Sequence, residues 1–260
     1  MVDEALQGGR MSAGVVRRGD TVRRPLGPWS PLTHAFLRHL ESAGFPGAPR
    51  ILGVDGDVEV LTFISGEVAA DPEWQPGKGN PLTAEMRSDA ALVAAARLIR
   101  ELHDAARDFD PPAAVFRTHS RPPRAGEVMS HGDIGPWNTV YRAGIPIAFI
   151  DWDNCGPVDP IIDIAGAAWA FVPLCDDRQL REVGFDPLPD IGERLRLFVD
   201  AYGVPDRSAV LPALVKARAG AAAIQGWGLG PTDTAVALEF VATELRWLGD
   251  NAGRLENALT

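Results

Sequence analysis

The stretch SHGDIGPWNTVYRAGIPIAFIDWDN, residues Ser130–Asn154, constrains the fold of this 260-residue chain more than any other. It packs His131, Asp133, Asn138, Asp151 and Asp153 around two short runs of β character, Thr139–Arg142 and Ile145–Ile150. Gly144 stands between the runs, as a tight hairpin turn requires. Closing that hairpin brings Asn138, just before the first strand, opposite Asp151, just after the second. Asp133 lies on the loop that leads in. Two carboxylates and an amide converging on one point make a set of hard oxygen donors, the kind Mg²⁺ uses together with substrate phosphates.

The rest of the chain supplies a scaffold for this stretch. Its length suffices for one large domain or two closely packed lobes. No run is long and apolar enough to span a bilayer, and the opening residues carry no apolar signal region. A cytoplasmic protein without a membrane partner is therefore expected. Cys155 and Cys175 are too few for a disulfide framework and are expected to be reduced thiols. The net charge of −10 argues against general nucleic-acid binding. The charge is unevenly spread: residues 1–50 carry seven Lys+Arg against four Asp+Glu, and the remainder carries eighteen against thirty-one. A small basic head on a large acidic body suits a polyanionic ligand at one end and a cationic one at the other.

In chain order, Gly14–Arg24 reads as two short strands around the Gly19-Asp20 turn signal. Ser30-Pro31 opens a helix that carries Leu32, Phe36, Leu37 and Leu40 at helical spacing and stops at Gly44. Ile51–Val54 and Val58–Ile64 read as strands joined by Asp55-Gly56-Asp57. The Pro- and Gly-rich residues 68–82 mark a lobe boundary, with an N-lobe at 1–66 and a C-lobe at 67–260. A long helix capped by Thr83 runs to about Arg107, with His103 in a structural role, packed or capping near its end. After a proline-rich loop at 108–127 and the central stretch come helices: one in IAGAAWAFV, then others near 189–202, 207–226 and 231–259. In the last, Val236, Phe240, Leu245 and Leu248 form an apolar stripe. Trp227 and Trp247 are expected in the core.

HGDIGPWN has the spacing H-x-D-x-x-x-x-N of the protein-kinase catalytic loop. With IDWD downstream, Leu102-His103 before it and DPIIDIA after it, the chain resembles the aminoglycoside phosphotransferase and choline kinase group. That resemblance implies an α+β, two-lobed protein-kinase-like fold, with a small β-rich N-lobe and a larger, mainly helical C-lobe. It implies a kinase that moves the γ-phosphoryl group of ATP or GTP to a hydroxyl of a small molecule, with Mg²⁺ as cofactor. Its partners would be the nucleotide and that acceptor, an aminoglycoside-like or other amino-bearing compound in keeping with the acidic body.

Carried onto this chain, the resemblance makes Asp133 the catalytic base or the group orienting the hydroxyl. Asn138 and Asp151 hold Mg²⁺. His131 supports the loop backbone, Asp153 assists the metal site or faces the acceptor, and Asp163 pins the catalytic loop. The backbone at Thr62, Phe63 and Ile64 would be the hinge that meets the purine. Arg23 would contact the nucleotide phosphates, with Arg24 the one-register alternative, because alternate strand residues face opposite ways.

Three features depart from the pattern. The phosphate-contacting lysine is an arginine, which keeps the charge but not the geometry. The helix at 31–43 faces it with Thr33, His34 or Leu37, and its glutamate, Glu41, lies near the wrong end to pair with it. The glycine-rich cover is reduced to Gly8-Gly9 and Gly14. A catalytically silent nucleotide-binding protein of the same fold is the alternative these departures suggest.

Overall fold

A computed structural model describes all residues except 1–3, 7–13, 70–79, 114, 120 and 224–230; the side chains of 221–223 and 231–233 are likewise not described. Gly8-Gly9, most of the Pro/Gly-rich boundary and Trp227 lie outside the described residues.

The elements run β1 (Glu4–Ala5), β2 (Val16–Arg18), β3 (Thr21–Pro25), α1 (Ser30–Ser42), β4 (Ile51–Asp55), β5 (Val58–Thr62), β6 (Glu67–Val68) and α2 (Asp89–Ala106). They continue with β7 (Val128–Ser130), β8 (Thr139–Arg142), β9 (Ile145–Phe149), β10 (Gly156–Val158), α3 (Pro160–Phe171), α4 (Asp177–Val183), α5 (Ile191–Tyr202), α6 (Val210–Ala223) and α7 (Pro231–Leu259). The chain divides into two compact units. The first comprises Met1–Pro72, Glu101–Arg142 and Ile147–Val158; the second comprises Glu73–Arg100, Ala143–Pro146 and Asp159–Thr260.

In the first unit an antiparallel sheet has the order β1-β2-β3-β5-β4. The β2–β3 pair turns at Gly19, whose φ of 62° suits the turn without a Cβ penalty. The β3–β5 ladder pairs Arg23 with Val60 and Arg24 with Glu59, so these two rows face opposite sides. α1 begins at Ser30, and Pro31 occupies its first turn. Ser30 is not a cap: its hydroxyl accepts from the Gly27 N–H at 2.9 Å, which tightens the approach to the helix. Leu32, Phe36, Leu37 and Leu40 of α1 are buried as their spacing predicts. Phe36 meets Phe109 at 5.0 Å and Trp152 at 5.8 Å between ring centroids, which ties α1 to the residues after β9. β5 ends at Thr62, two residues short of expectation, because the Phe63 N–H turns to the Asp20 carbonyl.

The central stretch is closed twice. β7 and β10 pair antiparallel, with Ser130 opposite Gly156. Inside that closure β8 and β9 form the expected hairpin. Ala143 and Gly144 at its turn both have positive φ, 49° and 76°, the signature of a turn matched to strand twist. The Ile150 N–H donates to the Asn138 carbonyl at 2.9 Å, so the two ends of the hairpin do meet.

The second unit is helical. α3 packs on α6, and α7 packs on both α5 and α6. α3 starts where Asp159 caps Ile161, and α5 runs from the Asp190 cap to Gly203. α2 begins six residues after Thr83, whose hydroxyl caps a separate turn at Met86; Ser88 caps the helix itself through Ala91. The buried face of α7 carries Ala237, Val241, Leu248, Leu255 and Leu259, while Val236 is exposed. Of the expected stripe, Leu248 is buried, Phe240 and Leu245 are half-buried, and Val236 alone faces out. Glu244 sits in the buried row, paired with Arg218, whose guanidinium also lies over the Trp169 and Phe240 rings. Trp247 is half-buried. Among the described residues no helix is long and apolar enough to cross a membrane.

Candidate active site

Every residue of the central constellation falls in the first unit. His131 is wholly buried and holds the loop from both ring nitrogens. Its Nε2–H donates to the Ile150 carbonyl at 2.8 Å, and its Nδ1 accepts from the Asp133 N–H at 3.2 Å. The Trp152 ring packs against it edge-on at 4.7 Å. His131 is therefore a strut between the loop and the end of β9. Gly132 permits the turn: its φ is 82°, and a Cβ there would lie 2.0 Å from the Asn154 carbonyl oxygen.

The short turn Pro136–Asn138 sets the Asp133 carboxylate. Asn138 donates both amide hydrogens to Asp133, one to its backbone carbonyl and one to the carboxylate Oδ2, each at 2.9 Å. That leaves the Asn138 amide oxygen as the acceptor facing away. The Trp137 indole N–H donates to Asp133 Oδ1 at 3.3 Å. Burial raises the Asp133 carboxyl to about 6, and the Asp151 charge adds to the rise; the Trp137 and Asn138 hydrogen bonds work against it. A carboxyl poised there exchanges protons near neutrality.

Asp151 follows β9 in the left-handed region, at φ 64° and ψ 62°. A non-glycine residue held there is a local strain of the kind that collects at functional sites. Its Oδ1 meets Arg24 Nη1 at 3.0 Å. Arg24 is 8% exposed and is the hub of a buried network. Its Nε donates to Glu59 Oε1, its Nη2 donates to Asp153 Oδ1 at 2.6 Å, and Arg117 Nη1 holds the other Asp153 oxygen at 2.9 Å. His34 of α1 bonds Glu59 Oε2.

The charges follow from this arrangement. Burial works against the Arg24 charge, but Asp153, Glu59 and Asp151 together hold the guanidinium above its ordinary value. Burial also opposes the Glu59 charge, yet the bonds from His34 and Arg24 bring that carboxyl below its usual range. Asp153 is pushed up by burial, with Arg24 opposing the shift.

Of the two candidate arginines, Arg24 is the one that turns to the acidic cluster. Arg23 points to the opposite face and pairs with the exposed Asp55 at 3.1 Å. The cation does have a glutamate partner, Glu59, supplied by β5 rather than by α1; the helix reaches the pair through His34. At the expected hinge, the Thr62 N–H donates to the Arg50 carbonyl and the Phe63 N–H to the Asp20 carbonyl. Both N–H groups are thus already engaged within the chain. Asp163 lies in the first turn of α3, in the second unit. Trp137 and Glu59 escape sequence reasoning. The first sits inside the motif without a motif role, and the second reads as an ordinary outward residue of an alternating strand.

Among the described residues no group of three or more His, Cys, Asp or Glu side chains is arranged to hold a metal ion. The donor set that remains is the Asn138 amide oxygen and the Asp151 carboxylate. Few protein oxygens, with phosphates completing the shell, is a fit for Mg²⁺.

Comparison with known proteins gives a consistent result. Residues 117–198 match the phosphotransferase enzyme family. The chain is 36% identical over 210 residues to the trifolitoxin immunity protein of Rhizobium leguminosarum bv. trifolii, covering 78% of this chain and 76% of that protein. Among solved structures, a choline/ethanolamine kinase family protein from Mesorhizobium loti superposes with a TM-score of 0.52 at 16% identity, over 100% of this chain and 92% of that one. The Plasmodium vivax ethanolamine kinase gives 0.54 at 13% identity, over 89% and 77%. The streptomycin-ATP-APH(2")-IIa ternary complex gives 0.57 at 14% identity, over 95% and 91%. These likenesses show the fold: α+β and protein-kinase-like, with a small antiparallel sheet in the N-terminal region and a helical C-terminal part.

Proposed function

The chain belongs to the phosphotransferase enzyme family, and on that premise we propose that it moves the γ-phosphoryl group of ATP or GTP to a hydroxyl of a small molecule. The observation that carries this reading is the Asp133 carboxylate. It is fixed by Trp137 and Asn138, raised toward neutrality, and electrostatically coupled to Asp151 across the hairpin ends.

In this reading Asp133 accepts the acceptor hydroxyl proton, or orients that oxygen, as its bond to the γ-phosphorus forms and the bond to the leaving nucleotide oxygen breaks. The Asn138 amide oxygen and Asp151 would hold Mg²⁺, which when bound neutralises phosphate charge. Arg24 serves this site by fixing Asp151 and Asp153, with little surface left for the nucleotide. Asp153 is accordingly a buried strut between Arg24 and Arg117. The backbone at Phe63 and Ile64 receives the purine, and Asp163 has a supporting role. The N-lobe at 1–66 and C-lobe at 67–260 would divide nucleotide from acceptor.

The acidic body favours an amino-bearing acceptor. The relative's role as an immunity protein supports inactivation of a toxic compound as the setting. The same relative also favours an alternative, protection by a catalytically silent protein that binds without transfer. The test is the mass of every compound in a panel of aminoglycosides, nucleoside antibiotics, amino alcohols and sugars after incubation with the protein, Mg²⁺ and ATP or GTP. One added phosphoryl group on any of them supports transfer. Nucleotide binding with no modified product and no nucleotide turnover supports the silent alternative.

A further inference from the structure

Trp137 lies inside the catalytic-loop motif without a role in it. It is 40% exposed, a large aromatic left in water beside a half-buried carboxylate. Its placement is specified by its neighbours. The indole lies against Gly135 so closely that a Cβ at that position would sit 2.4 Å from Trp137 Cζ2. Pro136 fixes the backbone before it, and the Asn138 N–H closes the turn on the Gly135 carbonyl at 3.0 Å. The indole N–H then reaches Asp133 Oδ1, while Asn138 holds Oδ2. The two oxygens are gripped unequally. Asn138 is buried and at 2.9 Å from Oδ2; Trp137 is exposed and at 3.3 Å from Oδ1. Oδ1 is thus the more loosely held oxygen, and its hydrogen-bond partner is the exposed indole.

We infer that Trp137 is a positioning residue: its N–H holds Asp133 Oδ1 in line for the acceptor hydroxyl, and its exposed ring forms one wall of the approach. The inference rests on the phosphotransferase reading of Asp133. Indole is suited to both tasks, since one edge donates a hydrogen bond while the faces stay apolar. Gly135 is then required for ring space, and the sequence Gly-Pro-Trp-Asn is one device that sets both oxygens of a single carboxylate.

The experiment has two arms, both on the full chain. In the first, protein labelled with ¹⁵N-tryptophan shows the indole N–H signals of its seven tryptophans, and Trp137→Phe identifies the one from Trp137. Asp133→Ala should move that signal upfield and leave the others in place; an unmoved signal overturns the inference. In the second, MgATP turnover is measured with water as acceptor, and again with any panel compound that is phosphorylated. Trp137→Phe keeps the ring and loses the donor, so kcat should fall about tenfold or more, with KM for MgATP unchanged. Trp137→Ala should lower kcat in the same way and also raise KM for the phosphorylated compound. A Trp137→Phe protein with wild-type kcat, or one altered only in KM for MgATP, overturns the inference and leaves the phosphotransferase reading intact. Wild-type protein that turns over no MgATP overturns both, while the first arm still reports whether the indole bond exists.

Discussion

Arg24→Lys separates charge from geometry at the hub of the buried network. A lysine ammonium carries the same charge, but its hydrogens radiate from one point. The guanidinium presents a planar fork, and here its three nitrogens serve Glu59, Asp151 and Asp153 separately. Glu59 is 1% exposed and Asp153 is 6% exposed, so neither can turn to water if its partner withdraws. Each keeps one other partner, His34 for Glu59 and Arg117 for Asp153. The loss is therefore about one bond to a charged group, or about 1.5–3 kcal/mol. Arg24→Met removes the cation altogether and should cost about 3–5 kcal/mol, the range for breaking a buried pair. For a chain of this length that lowers Tm by roughly 2–4 °C per kcal/mol. Urea unfolding of the three proteins at matched m-value measures the differences directly. The Glu59 carboxyl lies below its ordinary range when folded. Its contribution is complete above the unfolded value and is lost as pH falls through the folded one, so the gap between wild type and Arg24→Met should narrow on acidification. An Arg24→Lys protein within about 0.5 kcal/mol of wild type would refute the network as a determinant of stability.

Other consequences can be checked independently. In the proposed role of base, Asp133 must be deprotonated, and its carboxyl is raised to about 6, so kcat/KM should fall about tenfold per unit as pH drops below that value. A pH–rate profile that stays flat to about pH 5 contradicts this. Gly132→Ala places a Cβ against the Asn154 carbonyl at a positive φ, and should cost at least about 1–3 kcal/mol by thermal unfolding and abolish turnover. With Arg24 committed to three carboxylates, ATP binding should be modest and depend on Mg²⁺; tight binding by isothermal titration in the presence of a chelator would contradict that.

Much of the fold and of the site was legible in the chain because the relevant signals are local. Alternating strands around Ala143-Gly144 specify the hairpin, and the hairpin alone delivers Asn138 to Asp151. The order Asp133, Asn138, Asp151 is what the proposed chemistry rests on. What stayed hidden depends on long-range pairing. Whether Arg23 or Arg24 faces the cluster is decided by the β3–β5 register, which the two residues themselves do not encode. Glu59 looks like an outward residue of an alternating strand, because nothing near it shows that Arg24 and His34 will cover its face. The α7 stripe is only partly legible because Glu244 occupies its buried row, paired with Arg218 from α6, and a charge in an apolar row misleads periodicity. The start of α2 moves from Thr83 to Asp89 because two capping hydroxyls, Thr83 and Ser88, stand five residues apart and the first closes only a turn.

The most direct test of the proposed activity compares wild type with Asp133→Asn in the same two assays, MgATP binding by titration and product mass on the hydroxyl panel. Asparagine keeps the size of the side chain and removes its capacity to take a proton. The expected result is a phosphorylated product from wild type, none from Asp133→Asn, and nearly equal MgATP affinity for the two. Equal product from both proteins would contradict the role given to the Asp133 carboxylate.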